Sequence, residues 1–224
     1  MKIFHPLLLS FFFALQTAIA QSEEIDFQPL PRSAIGVLHL SIFPIEGITN
    51  KTSKSIPVRK APDFASPLVM VLKSKNDLTS TREVDYEHSA AVVFIRKQDW
   101  YQVATRFGKG WISGKDAGDF IAVEKIFYSR MSFLRAEEWN GVIYPTPSLS
   151  KKPIPINWKT HHKGDSDATF LEWKVVEGQP WIRVRLLAKA YCEDITVLDR
   201  DIVGWIPAYS QKGNLVMWYY SRGC

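Results

Sequence analysis

The chain contains the same short pattern twice: a Trp-x-x-Val segment followed by a Gly-Trp-Ile segment. The first copy covers residues 100–103 and 110–112, and the second covers residues 181–184 and 204–206. A pattern that recurs in the same order indicates two copies of one folding unit. We interpret that unit as a small β-barrel. No pattern of catalytic residues accompanies it, so the sequence points to binding rather than to chemistry.

The first 20 residues have the features of an export signal peptide. Lys2 supplies a positive end, residues 7–15 are apolar, and residues 18–20 (Ala-Ile-Ala) offer small side chains before Gln21. The apolar run is too short to span a bilayer, and no cysteine follows it for a lipid anchor. The alternative is a retained anchor or a buried N-terminal strand. We predict a mature protein that begins near Gln21, is periplasmic or secreted, and does not insert into a membrane.

Charge and length set mild limits on the partners. The chain has 28 Lys and Arg against 23 Asp and Glu, a formal net charge of +5. Loss of Lys2 with the signal peptide would lower this by one. Such a bias allows attraction to anionic polymers of the cell envelope but does not require nucleic acid. About 200 residues would remain, enough for two domains of about 80–100 residues.

The chain has two cysteines, Cys192 and Cys224. In an oxidising compartment an isolated pair most simply forms one disulfide. A loop of this length would stabilise the folded state by roughly 3–4 kcal/mol in the chain-entropy model. The alternatives are two free thiols or a metal-binding pair, although no further Cys/His cluster completes a coordination sphere.

Short apolar segments separated by Pro, Gly and Asp turns predict an all-β protein. In the first half we expect strands at residues 35–43, 56–60, 68–73, 82–87, 90–96, 100–106 and 110–113. Residues 120–124 are predicted to close this unit as a further strand. Residues 125–140 have helical spacing in their first part and stay undecided.

Two segments fall outside these regular strands. Residues 21–34 are polar and contain Pro29 and Pro31, so we predict a flexible leader that folding does not require. Residues 188–201 lengthen the loop between the second pair of tryptophan strands, and loops carry function more often than strands do.

Residues 58–67 (Val-Arg-Lys-Ala-Pro-Asp-Phe-Ala-Ser-Pro), followed by the tryptophan strands, resemble the opening motif of the bacterial SH3-like family. The resemblance implies two small SH3-like barrels in tandem, at residues 35–128 and 131–224. The second copy lacks the arginine after Val142 and carries the longer loop. The family implies non-catalytic binding of peptidoglycan or of an extended envelope peptide, without a cofactor.

Aromatic side chains of the repeats are the candidate ligand-binding residues, because they stack on sugars and on extended peptides. We expect Tyr101 and Tyr209 at the rim of a groove, since polar or loop residues flank them. The alternative for the tryptophans of the Gly-Trp-Ile segments is core filling. The full candidate set is Trp100, Tyr101, Arg106, Trp111, Trp205 and Tyr209, with Trp181 equivalent to Trp100.

Enzymatic alternatives have weaker support. His161 and His162 lie near Asp165 and Asp167, but a solvated loop explains them as well as a metal site does. Glu193 and Asp194 would be a glycosidase pair only if their geometry allowed it. The nucleophile and zinc motifs of hydrolases are absent from the sequence.

We therefore predict no enzyme, no metal and no cofactor. The rival hypothesis is a structural interaction protein that docks an envelope protein or an exported toxin through a surface patch. A metal-dependent hydrolase built on the His161 loop is a third.

Overall fold

The computed structural model describes residues 29–42, 55–86, 88–159, 164–192 and 194–223. In these residues the chain forms thirteen β-strands in two sheets and two short 3₁₀ helices, with no helix of seven or more residues. The prediction of an all-β protein is confirmed. The predicted signal peptide at residues 1–20 and residues His161, His162, Glu193 and Cys224 lie outside the described residues. None of the described residues forms a helix long and apolar enough to cross a membrane.

The first sheet contains eight strands. They are β1 (Gly36–His39), β2 (Ile56–Arg59), β3 (Leu68–Leu72), β4 (Thr81–Asp85), β5 (His88–Lys97), β6 (Trp100–Thr105), β7 (Gly108–Ser113) and β8 (Phe120–Ala122). The strand order is β3-β2-β7-β6-β5-β1-β8, and β4 pairs with β5. The 3₁₀ helices cover Lys75–Asp77 and Val123–Lys125. Each expected strand of this half is present, with ends that differ from the expected ones by at most four residues.

The second sheet contains five strands. They are β9 (Ser132–Leu134), β10 (Ser166–Val176), β11 (Gln179–Leu186), β12 (Ile202–Pro207) and β13 (Met217–Tyr219), in the order β12-β11-β10-β9-β13. Residues 125–140, which the sequence left undecided, hold the end of the second 3₁₀ helix, turns and β9.

The second sheet repeats the strand order of the first. The path β7-β6-β5-β1-β8 has the same connections as β12-β11-β10-β9-β13. Arg59 of β2 pairs with Trp111, and Tyr144 pairs with Trp205 in the corresponding position. Each long hairpin also has a register shift opposite the valine of its Trp-x-x-Val segment. The repeat in the sequence is thus a repeat of strand pairing.

The first sheet is apolar on both faces at its centre. Leu38 and Val93 belong to a core inside the first half of the chain. Their neighbours Val37 and Val92 belong to a second core. Successive strand residues point to opposite faces, so an uninterrupted apolar run is what a strand covered on both sides requires.

That second core joins the two halves of the chain. Val84 of β4 and Phe127, which follows the second 3₁₀ helix, pack in it with Phe170 and Tyr219 of the second sheet. The Tyr219 hydroxyl donates to the Val84 carbonyl at 2.8 Å. Burial strongly raises the pKa of Tyr219, so the hydroxyl stays a donor. The two sheets are one packed body in the described residues.

The prediction of a flexible leader is wrong for its last residues, 29–34. Leu30 is fully buried in the shared core, and its carbonyl accepts the Leu215 N–H at 2.7 Å. Pro31 pairs with Asn214. The two prolines favour extended backbone, and here that backbone lies beside the C-terminal segment.

Within the described residues neither sheet closes on itself. No pairing joins β3 to β8, or β12 to β13. The observed architecture is two open antiparallel sheets around the shared core and the core of the first half.

Candidate functional site

Alternation along the tryptophan strands decides which aromatic residues reach the surface. Tyr101 and Val103 of β6 and Ile112 of β7 point into the core of the first half. Tyr101 is only 6% exposed, and its ring stacks on Phe120 with centroids 5.3 Å apart. The expectation that Tyr101 lies at an exposed rim is wrong, because it shares the inner face of β6 with Val103.

The tryptophans of the first copy lie on the outer face of the same sheet. Trp100 packs against Phe64, with ring centroids 4.9 Å apart. Trp111 is half-buried and pairs with Arg59 of β2. Phe64 is 50% exposed, and the Lys115 ammonium lies 5.3 Å from its ring. We call Phe64, Trp100, Trp111, Arg59 and Lys115 the aromatic face.

The loop between β2 and β3 holds Phe64 in place. Asp63 accepts the Ala65 N–H at 3.0 Å, which forms an Asx turn around Phe64. The Ser66 hydroxyl accepts the Ala61 N–H at 2.9 Å, and Arg59 donates to the Ser66 carbonyl at 2.8 Å. A loop tied by its own polar groups presents Phe64 without help from a ligand.

Charges of both signs lie around the aromatic face: three lysines, and the carboxylates of Asp63 and Asp99, which precede Phe64 and Trp100 in the sequence. Lys97, paired with Trp100, and Lys109, which lies 4.7 Å from the Phe94 ring, are exposed. Neither they nor Lys115 take part in an ion pair between the described residues. Apolar rings beside unpaired ammonium groups suit a ligand that carries both apolar or sugar surface and negative charge.

Arg106 stabilises a loop. Its guanidinium contacts the Asp77 carboxylate at 3.3 Å. Hydrogen bonds from the backbone N–H groups of Lys73 and Ser74, helped by Arg106 and opposed by burial, lower the pKa of Asp77. Arg106 thus lies at the turn between β6 and β7, at the end of β6 opposite Trp100 and its neighbour Phe64. It stabilises the 3₁₀ helix that precedes β4.

The corresponding surface of the second copy is more closed. Tyr144 lies where Arg59 lies in the first copy, and its ring meets Trp181 edge-on at 5.8 Å. Trp181 and Trp205 are 2% and 8% exposed. Trp205 has the same 8% exposure as Trp100 and belongs to neither of the two apolar cores of the described residues, whereas Trp111 is partly open to solvent.

Tyr209 lies in a groove at the junction of the two halves. Its side chain is only 7% exposed, so the expectation of an exposed rim position is wrong for Tyr209 as well. The ring meets Trp173 edge-on at 6.3 Å and has the Arg32 guanidinium at 5.5 Å. Burial raises the pKa of Tyr209; the charge of Arg32 opposes this shift and that of Glu124 adds to it. The groove has a volume of about 410 Å³. We call it the junction groove.

The acidic residues considered for metal binding or catalysis make structural contacts. Asp165 accepts the Ala136 N–H at 2.8 Å, and Asp167 accepts the Tyr191 N–H at 2.6 Å and the Tyr220 hydroxyl at 2.7 Å. Asp194 pairs with Lys189 at 2.5 Å. In the described part of the chain no three His, Cys, Asp or Glu residues form a group that could hold a metal ion.

The described cysteine, Cys192, is not a free thiol. It lies within residues 188–201, where Lys189 pairs with Thr196 to form a small bridge. Its predicted partner, Cys224, lies outside the described residues, so the disulfide stays a prediction.

Comparison with known proteins gives no further guide. No protein-family model matches the sequence. No curated protein matches it significantly.

Sequence reasoning missed three contributors to these surfaces. Phe64 stands inside the motif at residues 58–67, and its position between Asp63 and Ser66 was the available signal. Arg32 and Trp173 come from distant parts of the chain, and no spacing in the sequence brings them together.

Proposed function

We propose that the chain is an exported, non-catalytic binding protein built from two SH3-like barrels in tandem. Its ligand is peptidoglycan or an extended peptide of an envelope protein. Export rests on the signal-like residues 1–20, and the SH3-like assignment rests on the opening motif and the repeated strand order.

The aromatic face carries this proposal. Phe64, half-exposed, extends the surface of Trp100, and Lys115 lies over its outer side. A rigid exposed ring offers large contact area at low entropic cost. The neighbouring ammonium groups can pair with carboxylates of the ligand. The second copy offers no equally exposed ring in this place, since Tyr144 packs on Trp181, so the first copy is the binding one.

The test is a pull-down of the mature protein on purified peptidoglycan sacculi, with an envelope extract in parallel. Phe64→Ala should weaken retention by about tenfold, as expected for loss of an anchor residue. Phe107→Ala is the matched control, because Phe107 is also exposed, at 65%, but lies at the β6–β7 turn.

Lys115→Gln should weaken retention less and reduce its dependence on salt. Equal retention of the Phe64 and Phe107 variants would refute the aromatic face as the site. Failure of the wild type to bind either sacculi or an extract peptide would refute the proposed function.

The alternative is a structural interaction protein that docks one folded partner. Ile95 of β5, 48% exposed, favours it, because it adds apolar surface to the first sheet. Capture of one folded protein from the extract, unchanged by Phe64→Ala and lost on Ile95→Asp, would support this alternative.

A further inference from the structure

We infer that the junction groove is a second binding site, for a short peptide that has a free carboxylate and a free amino group separated by an apolar side chain. It shares no residue with the aromatic face, and it does not depend on the function proposed above.

Both halves of the chain build the groove. Ala34, Ile35 and Val123 line one side, and Val175 and Pro180 of the β10–β11 hairpin line the other. A volume of about 410 Å³ falls in the range of small-ligand sites, which often lie where two units of a protein meet. Ala34 and Val123 belong to the shared core, which holds this wall in place before a ligand arrives.

Two opposite charges lie in the groove without pairing. Arg32 and Glu124 both line it, and neither belongs to an ion pair among the described residues. The Arg32 guanidinium lies 5.5 Å from the centroid of the Tyr209 ring, and the charges of both Arg32 and Glu124 act on the pKa of Tyr209. A ligand with one negative and one positive end would satisfy both.

Hydrogen-bond donors gather at the Arg32 end. Arg32 donates to the Gln179 side chain at 3.2 Å, which leaves most of its five N–H groups available. Tyr209 and Trp173 also line the groove, and the Tyr209 hydroxyl and the Trp173 indole N–H make no hydrogen bond with the described residues. A guanidinium flanked by neutral donors is a carboxylate site.

The apolar walls explain why the ligand is a peptide and not a free small anion. Trp173 is half-buried and Val175 is 58% exposed, so a side chain between the two ligand charges would cover them. Covering this surface adds hydrophobic stabilisation that an inorganic anion cannot supply.

The test uses the tripeptide Gly-Leu-Ala with free ends, its C-terminal amide and its N-acetyl form. Binding to the mature protein is followed by the indole N–H signals in NMR spectra, with the Trp173 signal assigned from Trp173→Phe. Gly-Leu-Ala should shift the Trp173 signal, and each blocked form should bind about threefold to tenfold more weakly.

Charge variants make the result specific. Arg32→Gln should remove the preference for the free acid over the amide, and Glu124→Gln should remove the preference for the free amine over the acetyl form. Arg200→Gln, at an exposed position outside the groove, is the control and should bind like the wild type. The same spectra show whether each variant is folded.

Two outcomes would overturn the inference. One is a Trp173 signal that does not move with saturating Gly-Leu-Ala. The other is a folded Arg32→Gln variant that still prefers the acid over the amide by the wild-type factor.

Discussion

At the scale of single residues, adjacent aromatic positions of β6 have opposite roles. Trp100 lies on the outer face with Phe64, and Tyr101 lies in the core with Phe120. A strand places successive side chains on opposite faces. Trp100 and Tyr101 are themselves buried, at 8% and 6% exposure, so a ligand meets the tryptophan side of this strand through the exposed ring of Phe64, while the tyrosine side contributes to the core.

The first prediction compares Tyr101→Ala with Trp111→Ala. Loss of the buried Tyr101 ring should lower the free energy of unfolding by roughly 3–5 kcal/mol through the cavity that it leaves. Loss of the half-buried Trp111 should cost about half of that or less. Urea unfolding of both variants measures the difference. A larger loss of unfolding free energy for Trp111→Ala would show that the outer face of the sheet contributes more to stability than the inner face.

The second prediction concerns pH and Asp77. Because the pKa of Asp77 is lowered in the folded state, its carboxylate stabilises the fold above its ordinary pKa of about 4. That stabilisation is lost as the pH falls through the folded-state value. The difference in unfolding free energy between wild type and Asp77→Asn should therefore shrink from pH 7 to pH values below about 4.

Urea unfolding at several pH values checks this. Asp199→Asn is the control, because Asp199 is exposed and pairs only with Lys159 at the surface. A gap between wild type and Asp77→Asn that is constant with pH would contradict the pKa direction.

Candidate residues could be predicted from the sequence more reliably than the face of the strand on which each of them lies. The tryptophan strands were found from the repeat, but assigning Tyr101 to a rim ignored that Val103, two residues on, points inward. The alternation was readable in the sequence. The junction groove could not be predicted from the sequence, because Arg32, Glu124 and Trp173 meet only through the packing of the two sheets.

At the scale of strands, the glycine of each Gly-Trp-Ile segment permits a close approach. A Cβ on Gly110 would lie 2.3 Å from Val58 Cγ1, and one on Gly204 would lie 2.2 Å from Ile143 Cγ2. Neither glycine has a positive φ. The glycine is therefore needed for space where the strand crosses its neighbour, and the same requirement recurs in both copies.

The third prediction tests this requirement. Gly110→Ala and Gly204→Ala should each lower the unfolding free energy by roughly 1–3 kcal/mol through overpacking. Val58→Ala should offset part of the loss in Gly110→Ala. Ile143→Ala should offset less in Gly204→Ala, because the Tyr144 carbonyl oxygen, 2.8 Å from the added Cβ, cannot be trimmed.

Double-mutant cycles by urea unfolding measure both couplings. Gly164→Ala is the control, because nothing lies within 4 Å of the added Cβ. If Val58→Ala and Ile143→Ala restored stability to the same extent, the overpacking would come from these side chains alone.

Strand positions were predictable because turn residues punctuate the apolar segments. The pairing of the strands in the second half was less predictable. The β10–β11 pair extends two residues past Trp181, whereas the β5–β6 pair ends at Trp100. Polar composition predicts a flexible leader because it does not show that Leu30 meets Leu215, far along the chain.

At the scale of the whole molecule, the N-terminal segment belongs to the C-terminal half. Our fourth prediction is that deleting residues 21–28 leaves the contacts of Leu30 intact, whereas Leu30→Ala lowers the unfolding free energy by roughly 2–5 kcal/mol. Thermal melts compare Leu30→Ala with Ser33→Ala, an exposed neighbour. If Leu30→Ala were as stable as Ser33→Ala, the prediction of a flexible leader would hold after all.

The two halves should also unfold together. Val37, Val84 and Val92 of the first sheet pack in one core with Phe127 and Tyr219. Arg222 and Ser221 near the C-terminus bind the Glu83 carboxylate of β4 at 2.7–3.0 Å. Residues 35–128 alone would expose this apolar face to water and lose these contacts, and burial of such a face is the main source of stability.

The fifth prediction is therefore one cooperative transition for residues 21–224, although the two sheets share one strand order. In calorimetry the van 't Hoff enthalpy should equal the calorimetric enthalpy. Val84→Asp, which puts a charge into the shared core, should lower the single melting temperature and not split it. Residues 35–128 expressed alone should lack a cooperative melt. Two resolved transitions, or a stably folded isolated half, would mean that the sheets are independent domains and that the junction groove is not a fixed feature of the fold.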